Sequence, residues 1–190
     1  MAKVQFGLRS VYISKISETT DPQTGEVTIS YGTPFALPGA VNLSLSPEGD
    51  ENIFYADDTN YYTVSTNAGY SGTLEIAMIT DKFATDILGY IKDQNELLAE
   101  SKDVQPASFA MMFEVQSDAK ARRYCFYNVK PGRAEVNANT IEESAEVQTA
   151  TLDITAAAAK DTGYVKVSTT ESTPDTAYNQ WFTAVPTVTP

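Results

Sequence analysis

The chain has 190 residues, 25 acidic and 13 basic side chains, a formal net charge of −12, no histidine and one cysteine, Cys125. These numbers exclude an intrachain disulfide, remove the commonest general base and metal ligand, and set the charge against partners held by their phosphates. A chain this long buries about 70% of the surface its unfolded form exposes, so a single domain over 1–190 needs no staple. No apolar run approaches the ~18 residues of a membrane helix, and the start, MAKVQFGLRS, lacks an apolar signal segment. The expectation is a protein made and kept in a cytosol.

The pattern is mainly that of strands. Residues 11–16 are short and β-rich. Asp21-Pro22-Gln23-Thr24-Gly25 is a turn, and residues 27–31 alternate apolar and polar, which predicts a hairpin. Val41, Leu43 and Leu45 alternate with polar residues, as do Leu74, Ile76 and Met78 in the next strand. Thr80 or Asp81 then caps a helix in which Phe83, Ile87 and Ile91 recur every four residues, unless Gly89 ends it at Leu88. Phe109, Met111, Phe113 and Val115 form an alternating strand, turned by residues 118–120 into a strand over 123–129 and closed by Pro131-Gly132. Residues 149–155 make a further strand, and 163–167 a candidate edge strand. Tyr178, Trp181, Phe182 and Val185 fit one face of a short C-terminal helix, followed by a loose tail at 186–190. The predicted fold is mainly β (α+β), a β-sandwich or barrel of two packed sheets with a flanking helix, an inter-strand arm at 47–72 and a C-terminal arm at 168–190.

Candidate chemistry is sparse. Asp57-Asp58 is a carboxylate pair, but adjacent residues of an extended strand point to opposite faces. Glu48, Asp50 and Glu51 lack the Asp/Asn-rich spacing, central glycine and twelfth-position glutamate of a calcium loop and read as a solvated acidic loop, as does Glu142-Glu143. The glycines of residues 67–72 do not match a dinucleotide fingerprint and read as a turn. Arg122-Arg123 beside Tyr124 and Tyr127 is a weak nucleic-acid signal on so acidic a chain, and suits a hairpin shoulder or a salt bridge to a neighbouring subunit better. Cys125 reads as a small buried residue, and Trp181 as a core or docking anchor. No catalytic residue, metal or cofactor is expected.

The unusual segment is residues 47–72. It is acidic at its start and holds Phe54, Tyr55, Tyr61, Tyr62 and Tyr70. Large rings in a long connection suit an interface, where tyrosine is enriched. The candidate contact residues are Glu48, Asp50, Phe54, Tyr55, Asp57, Asp58, Tyr61 and Tyr62, with Tyr178, Trp181 and Phe182 for docking of the C-terminal arm. Residues 59–66 alternate enough for a strand, so the arm is either a loop or an extended β-hairpin.

Several motifs in order carry a resemblance: VNLSLSPEGD at 41–50, FYAD at 54–57, NAGYSGTLEI at 67–76, EES at 142–144, TL at 151–152 and YNQWF at 178–182. Together they resemble the major tail proteins of long, non-contractile-tailed bacteriophages of Gram-positive hosts. The resemblance implies a virion structural protein whose copies close into homohexameric rings. The rings stack into a tube, built around a tape-measure protein and met by a tail terminator and distal tail proteins. It also implies an acidic lumen that DNA passes without specific binding, and a long loop reaching the adjacent ring. The rival reading of the same aromatic segment is a monomeric carbohydrate- or protein-binding β-sandwich module, with tyrosines stacked on sugar rings.

Overall fold

The structure, a computed structural model, describes residues 3–138, 140 and 147–188. The EES motif at 142–144, and Glu142 and Glu143 with it, lie outside these. The chain is mainly β. In chain order the strands are β1 Gln5–Thr20, β2 Val27–Tyr31, β3 Phe35–Ala36, β4 Ala40–Glu48, β5 Glu51–Ala56, β6 Thr59–Ser65 and β7 Gly69–Ile76. Helix α1, Asp81–Asp86, leads to β8 Ile91–Lys92, β9 Leu98–Ala99, β10 Phe109–Ser117, β11 Arg122–Pro131, β12 Ala150–Ala157, β13 Lys166–Ser168 and helix α2, Asp175–Asn179.

The two packed sheets expected from the pattern are one. A nine-stranded antiparallel sheet runs β2-β1-β10-β11-β12-β7-β4, with β3 on β1 and β13 on β11; β5-β6 and β8-β9 are separate two-stranded ribbons. The large sheet curls onto itself, because one apolar cluster joins Val11 and Ile13 of β1 to Phe109 and Met111 of β10 and to Leu74, Ile76, Leu152 and Ile154 of β7 and β12. Helix α1 closes the cluster with Phe83 and Ile87. The Thr80 hydroxyl caps it by accepting from the Phe83 amide at 3.3 Å.

Local sequence cues miss where these elements bend. β1 is sixteen residues long, not six, because residues 5–15 run along β10 and residues 16–20 pair with β2. Positive φ at Gly7 (74°) and Ser10 (57°) marks irregularities that break its alternation. Val41 is exposed rather than buried, because a register shift between Ala40 and Asn42 turns it outward and Ala40 inward. Met78 is 70% exposed, since β7 stops at Ile76 and the Ala77 amide turns to the Gly39 carbonyl. Gly89, at φ +78°, ends the helical stretch, so Ile91 lies exposed in β8 instead of on a helix face.

Residues 69–72 are strand, not turn. Gly72 sits in β7 between β4 and β12, where a Cβ would collide with the Ser44 carbonyl. Gly69, at φ +106°, faces the Ala156 carbonyl as closely. These glycines let three strands approach where the sheet curls.

Both faces of β10 are buried. Phe109, Met111 and Phe113 point into the main cluster, while Ala110 and Met112 join Cys125, Tyr127, Ala159 and Trp181 in a second cluster. Burial pushes the Cys125 thiol and the Tyr127 phenol far up, and raises Tyr31 to about 12 with Asp161 adding to the shift. Each of these acids is neutral when folded and ionises more easily when unfolded. Their contribution is therefore complete below the unfolded values of about 8.5 for thiol and about 10 for phenol, and is lost as pH rises toward the folded ones.

Two measurements check this architecture. Gly72→Ala is expected to cost about 3 kcal/mol by urea unfolding. Gly25→Ala, with φ +72° but nothing within 4 Å, should cost only about 1 kcal/mol. Stability should fall steadily above about pH 8.5, and Cys125→Ala should delay the onset of that fall toward the phenol range.

Candidate assembly surface

Strands β4 and β7 pair as far as Glu48 opposite Gly69, and the same two-stranded ribbon then continues beyond the sheet. The Ala68 amide donates to the Glu48 carbonyl and the Thr66 amide to the Asp50 carbonyl, each at 2.9 Å. Beyond that point β5 and β6 pair only with each other, from Glu51 opposite Ser65 to Ala56 opposite Thr59. The segment is a β-hairpin arm reaching about 25 Å from Asp50 to its tip at ~3.3 Å per residue.

Asp57 and Asp58 form the tip, with φ of 50° and 56°. Two successive positive φ values belong to a type I′ turn, whose twist matches the flanking strands. The two carboxylates are thus turn residues, not an extended pair with opposed side chains. The Thr59 hydroxyl braces the turn by donating to the Ala56 carbonyl at 3.1 Å. One rung down, a register shift makes Tyr61 an extra residue, so Tyr61 and Tyr62 both lie opposite Phe54. The Phe54 and Tyr61 rings meet edge to face at 6.5 Å.

Every arm residue from Asp50 to Ala68 is exposed except Ala56, which is half-buried. Phe54, Tyr55, Tyr61 and Tyr62 are each more than 60% exposed. Tyr70, by contrast, belongs to the sheet and packs edge to face on Phe126 at 5.3 Å. Moving one large ring from water into an apolar contact is worth about 1.5–3 kcal/mol, so four such rings on one ribbon hold a large unspent burial energy. Glu48, at the base, is tied to the Ser71 hydroxyl across the ladder and is not part of the reach. Asp50 is likewise at the base, its amide bonded to the Thr66 hydroxyl at 2.9 Å. Between Lys15 and Lys82 the chain has ten carboxylates and no lysine or arginine.

The C-terminal residues pack on their own sheet. Helix α2 ends at Asn179, before Trp181, and buries no side chain. The residues predicted to share a helix face instead leave an irregular strap that covers the outer face of β10 and β11. Trp181 is buried there and its indole N–H donates to the Tyr124 carbonyl at 3.4 Å. Phe182 stacks on Tyr12 at 4.8 Å, and the Tyr178 hydroxyl donates to the Ala121 carbonyl at 3.0 Å. The tail at 186 is held, since the Tyr127 hydroxyl donates to the Pro186 carbonyl at 2.8 Å.

Arg123 is the latch. Its Nε donates to Glu114 Oε2 at 2.8 Å, Nη1 donates to the Tyr178 carbonyl, and the guanidinium lies 3.8 Å from the Tyr178 ring centre and 4.8 Å from that of Phe182. It stands at the shoulder of the β10–β11 hairpin, as the pattern predicted, and its partners among the described residues lie in its own chain. Sequence inspection singled out the Arg122-Arg123 pair but not Glu114, its buried partner, which sits in the otherwise apolar run of β10.

Beside the strap lies a cleft of about 670 Å³ where Lys3, Lys120 and Arg122 meet Glu171 and the hydroxyl residues Thr169, Thr170 and Ser172. No spacing in the sequence announces it, because Lys3 comes from the start of the chain and Lys120 and Arg122 from the β10–β11 turn. Among the described residues no group of three or more acidic or thiol side chains is placed to hold a metal ion, and no helix is long and apolar enough to cross a membrane. No family model matches the chain, and no curated protein matches it.

Removing the latch should be visible optically. Arg123→Ala leaves Glu114 buried without its partner and is expected to cost about 3 kcal/mol. The single tryptophan, Trp181, should then emit at longer wavelength as the strap loosens. At the arm, Asp57→Asn with Asp58→Gly supplies the residues this turn prefers. It should slow amide exchange in β5 and β6 while leaving the unfolding midpoint of the domain unchanged.

Proposed function

We propose that the chain is a structural subunit of a bacteriophage tail tube of the long, non-contractile type. In this reading copies close into homohexameric rings, and the rings stack into the conduit through which DNA leaves the capsid. The observation that carries it is the arm: an ordered ribbon with exposed rings and five carboxylates from Glu48 to Asp58, on a domain whose other large apolar residues mostly pack inside. A monomer gains nothing from holding those rings in water, whereas an assembling subunit buries them on a neighbour. The ordered motifs supply the phage assignment, and with it the tape-measure, terminator and distal tail partners and a place in the virion.

The charge supports the same reading. A net charge of −12 suits a conduit that DNA passes without binding. Ring closure needs head-to-tail contacts, and the open edges of β2 and β4 at the two ends of the sheet order are available for them. The exposed Tyr61 and Tyr62 rings favour one other reading, a monomeric carbohydrate-binding module. It expects glycan binding by calorimetry that Tyr61→Ala or Tyr62→Ala abolishes.

Negative-stain electron microscopy of the concentrated protein is expected to find rings or tubes. A chain that stays monomeric at every concentration and salt tested would overturn the proposal. Deleting residues 50–67 should leave a folded domain that forms no tubes, and long tubes from that variant would remove the arm from assembly.

A further inference from the structure

We propose that the β8–β9 ribbon is the surface that receives the arm of a copy stacked end to end. This rests on the self-assembly reading and names the residues on which one layer meets the next.

Strand directions put arm and ribbon at opposite ends of the sheet. β7 and β11 both run antiparallel to β12, and β10 runs antiparallel to β11. The end of β7, the end of β11 and the start of β10 therefore share one end. Residues 77–108, which join β7 to β10, lie there. The arm leaves from the start of β7, at the other end. An open stack of like copies needs the front of one to meet the back of the next. An arm that joins two layers thus lands at the end that carries residues 77–108.

One element there stands in water. Every residue from 91 to 100 is exposed. The ribbon is nevertheless ordered. The Asp93 carboxylate accepts from the Asn95 and Leu97 amides at 2.8 and 2.7 Å, and the Asp93 amide donates to the Leu97 carbonyl at 3.0 Å. Ile91 pairs with Ala99 and so shares a face with it, and Leu97 continues that face at period two. The other face looks back at α1, where the Lys92 ammonium lies 3.8 Å from Asp81. Ile91 and Leu97 are each more than half exposed, as is Met78 at the same end of the sheet.

The arm presents a matching face. Phe54 pairs with Tyr62 and Asn52 with Val64, which sets these four on one side, with the Tyr61 ring against Phe54. Apolar surface makes the match. Charge does not choose between the ends: Lys82, Lys92 and Arg133 are paired with Asp86, Glu96 and Glu100 at one, and Lys120 with Asp175 at the other. Three rings bury about 150–250 Å² each at most, short of the ~800 Å² per partner of a standard interface. One such contact is weak, and it holds when every copy in a layer makes it at once.

The test uses full-length chains carrying one new thiol each: Asn52→Cys on the arm face and Ala99→Cys on the ribbon face, mixed and treated with a short bis-maleimide. Cys125 stays silent because it is buried. The expected product is a covalent pair that needs both variants and appears as tubes form. Ile91→Asp with Leu97→Asp should raise the concentration needed for tubes on the order of tenfold or more, with rings and the unfolding midpoint unchanged. Tubes from that double variant at the native concentration would overturn the inference and leave self-assembly standing. Tubes in which Asn52→Cys does not couple to Ala99→Cys would do the same. So would coupling instead to Phe6→Cys, which lies at the arm's own end of the sheet opposite Gln116. A native chain that forms neither rings nor tubes would overturn both readings.

Discussion

The fold depends on β10 being buried on both faces. Phe109, Met111 and Phe113 anchor the interior of the curled sheet, while Ala110 and Met112 require cover on the outside. An antiparallel sheet of this kind commonly leaves one face wet. Here that face would be apolar, and the strap over 169–188 removes it from water. Everything that fixes the strap follows from this need, including the buried indole of Trp181 and the Arg123 latch on Glu114.

The latch also explains how a charged pair is tolerated at that depth. Glu114 receives the Arg123 guanidinium at 2.8 Å, and the exposed Arg9 lies farther off at 3.9 Å, so Arg123 is its close partner. Arg123 meets two rings and a backbone carbonyl on its remaining sides. Such an arrangement gives little net stability over an apolar substitute, yet breaking one half is costly. It therefore orients the strap more than it strengthens the domain.

The arm obeys the opposite logic. The domain spends its apolar residues on two interior clusters and leaves a hairpin whose rings are in water. A two-stranded ribbon alone is marginal. This one keeps its form because it grows out of the β4–β7 ladder, whose close approach the glycines permit. Rigidity at the base and exposed rings above it suit a contact made with a partner rather than with its own domain. The five carboxylates keep the ribbon polar and would give such a contact a sign.

Much of this was legible in the chain itself. The period-two runs of β4, β7, β10 and β12 gave strands, Thr80 and Gly89 bounded α1, and the rings and carboxylates of residues 48–62 marked the arm, because these signals are local: alternation, capping and turn chemistry act over a few residues. Other features were invisible locally. Val41 and Met78 belong to apolar patterns yet face water, since a register shift and a strand end redirect them. Asp57-Asp58 read as an extended pair until the β5–β6 pairing made them a turn. Arg123 found its role through Glu114 and Tyr178, nine and fifty-five residues away. The cleft beside the strap brings Lys3 to the β10–β11 turn that carries Lys120 and Arg122. In each case a long-range pairing decides which way a side chain points, and no neighbour in the sequence carries that information.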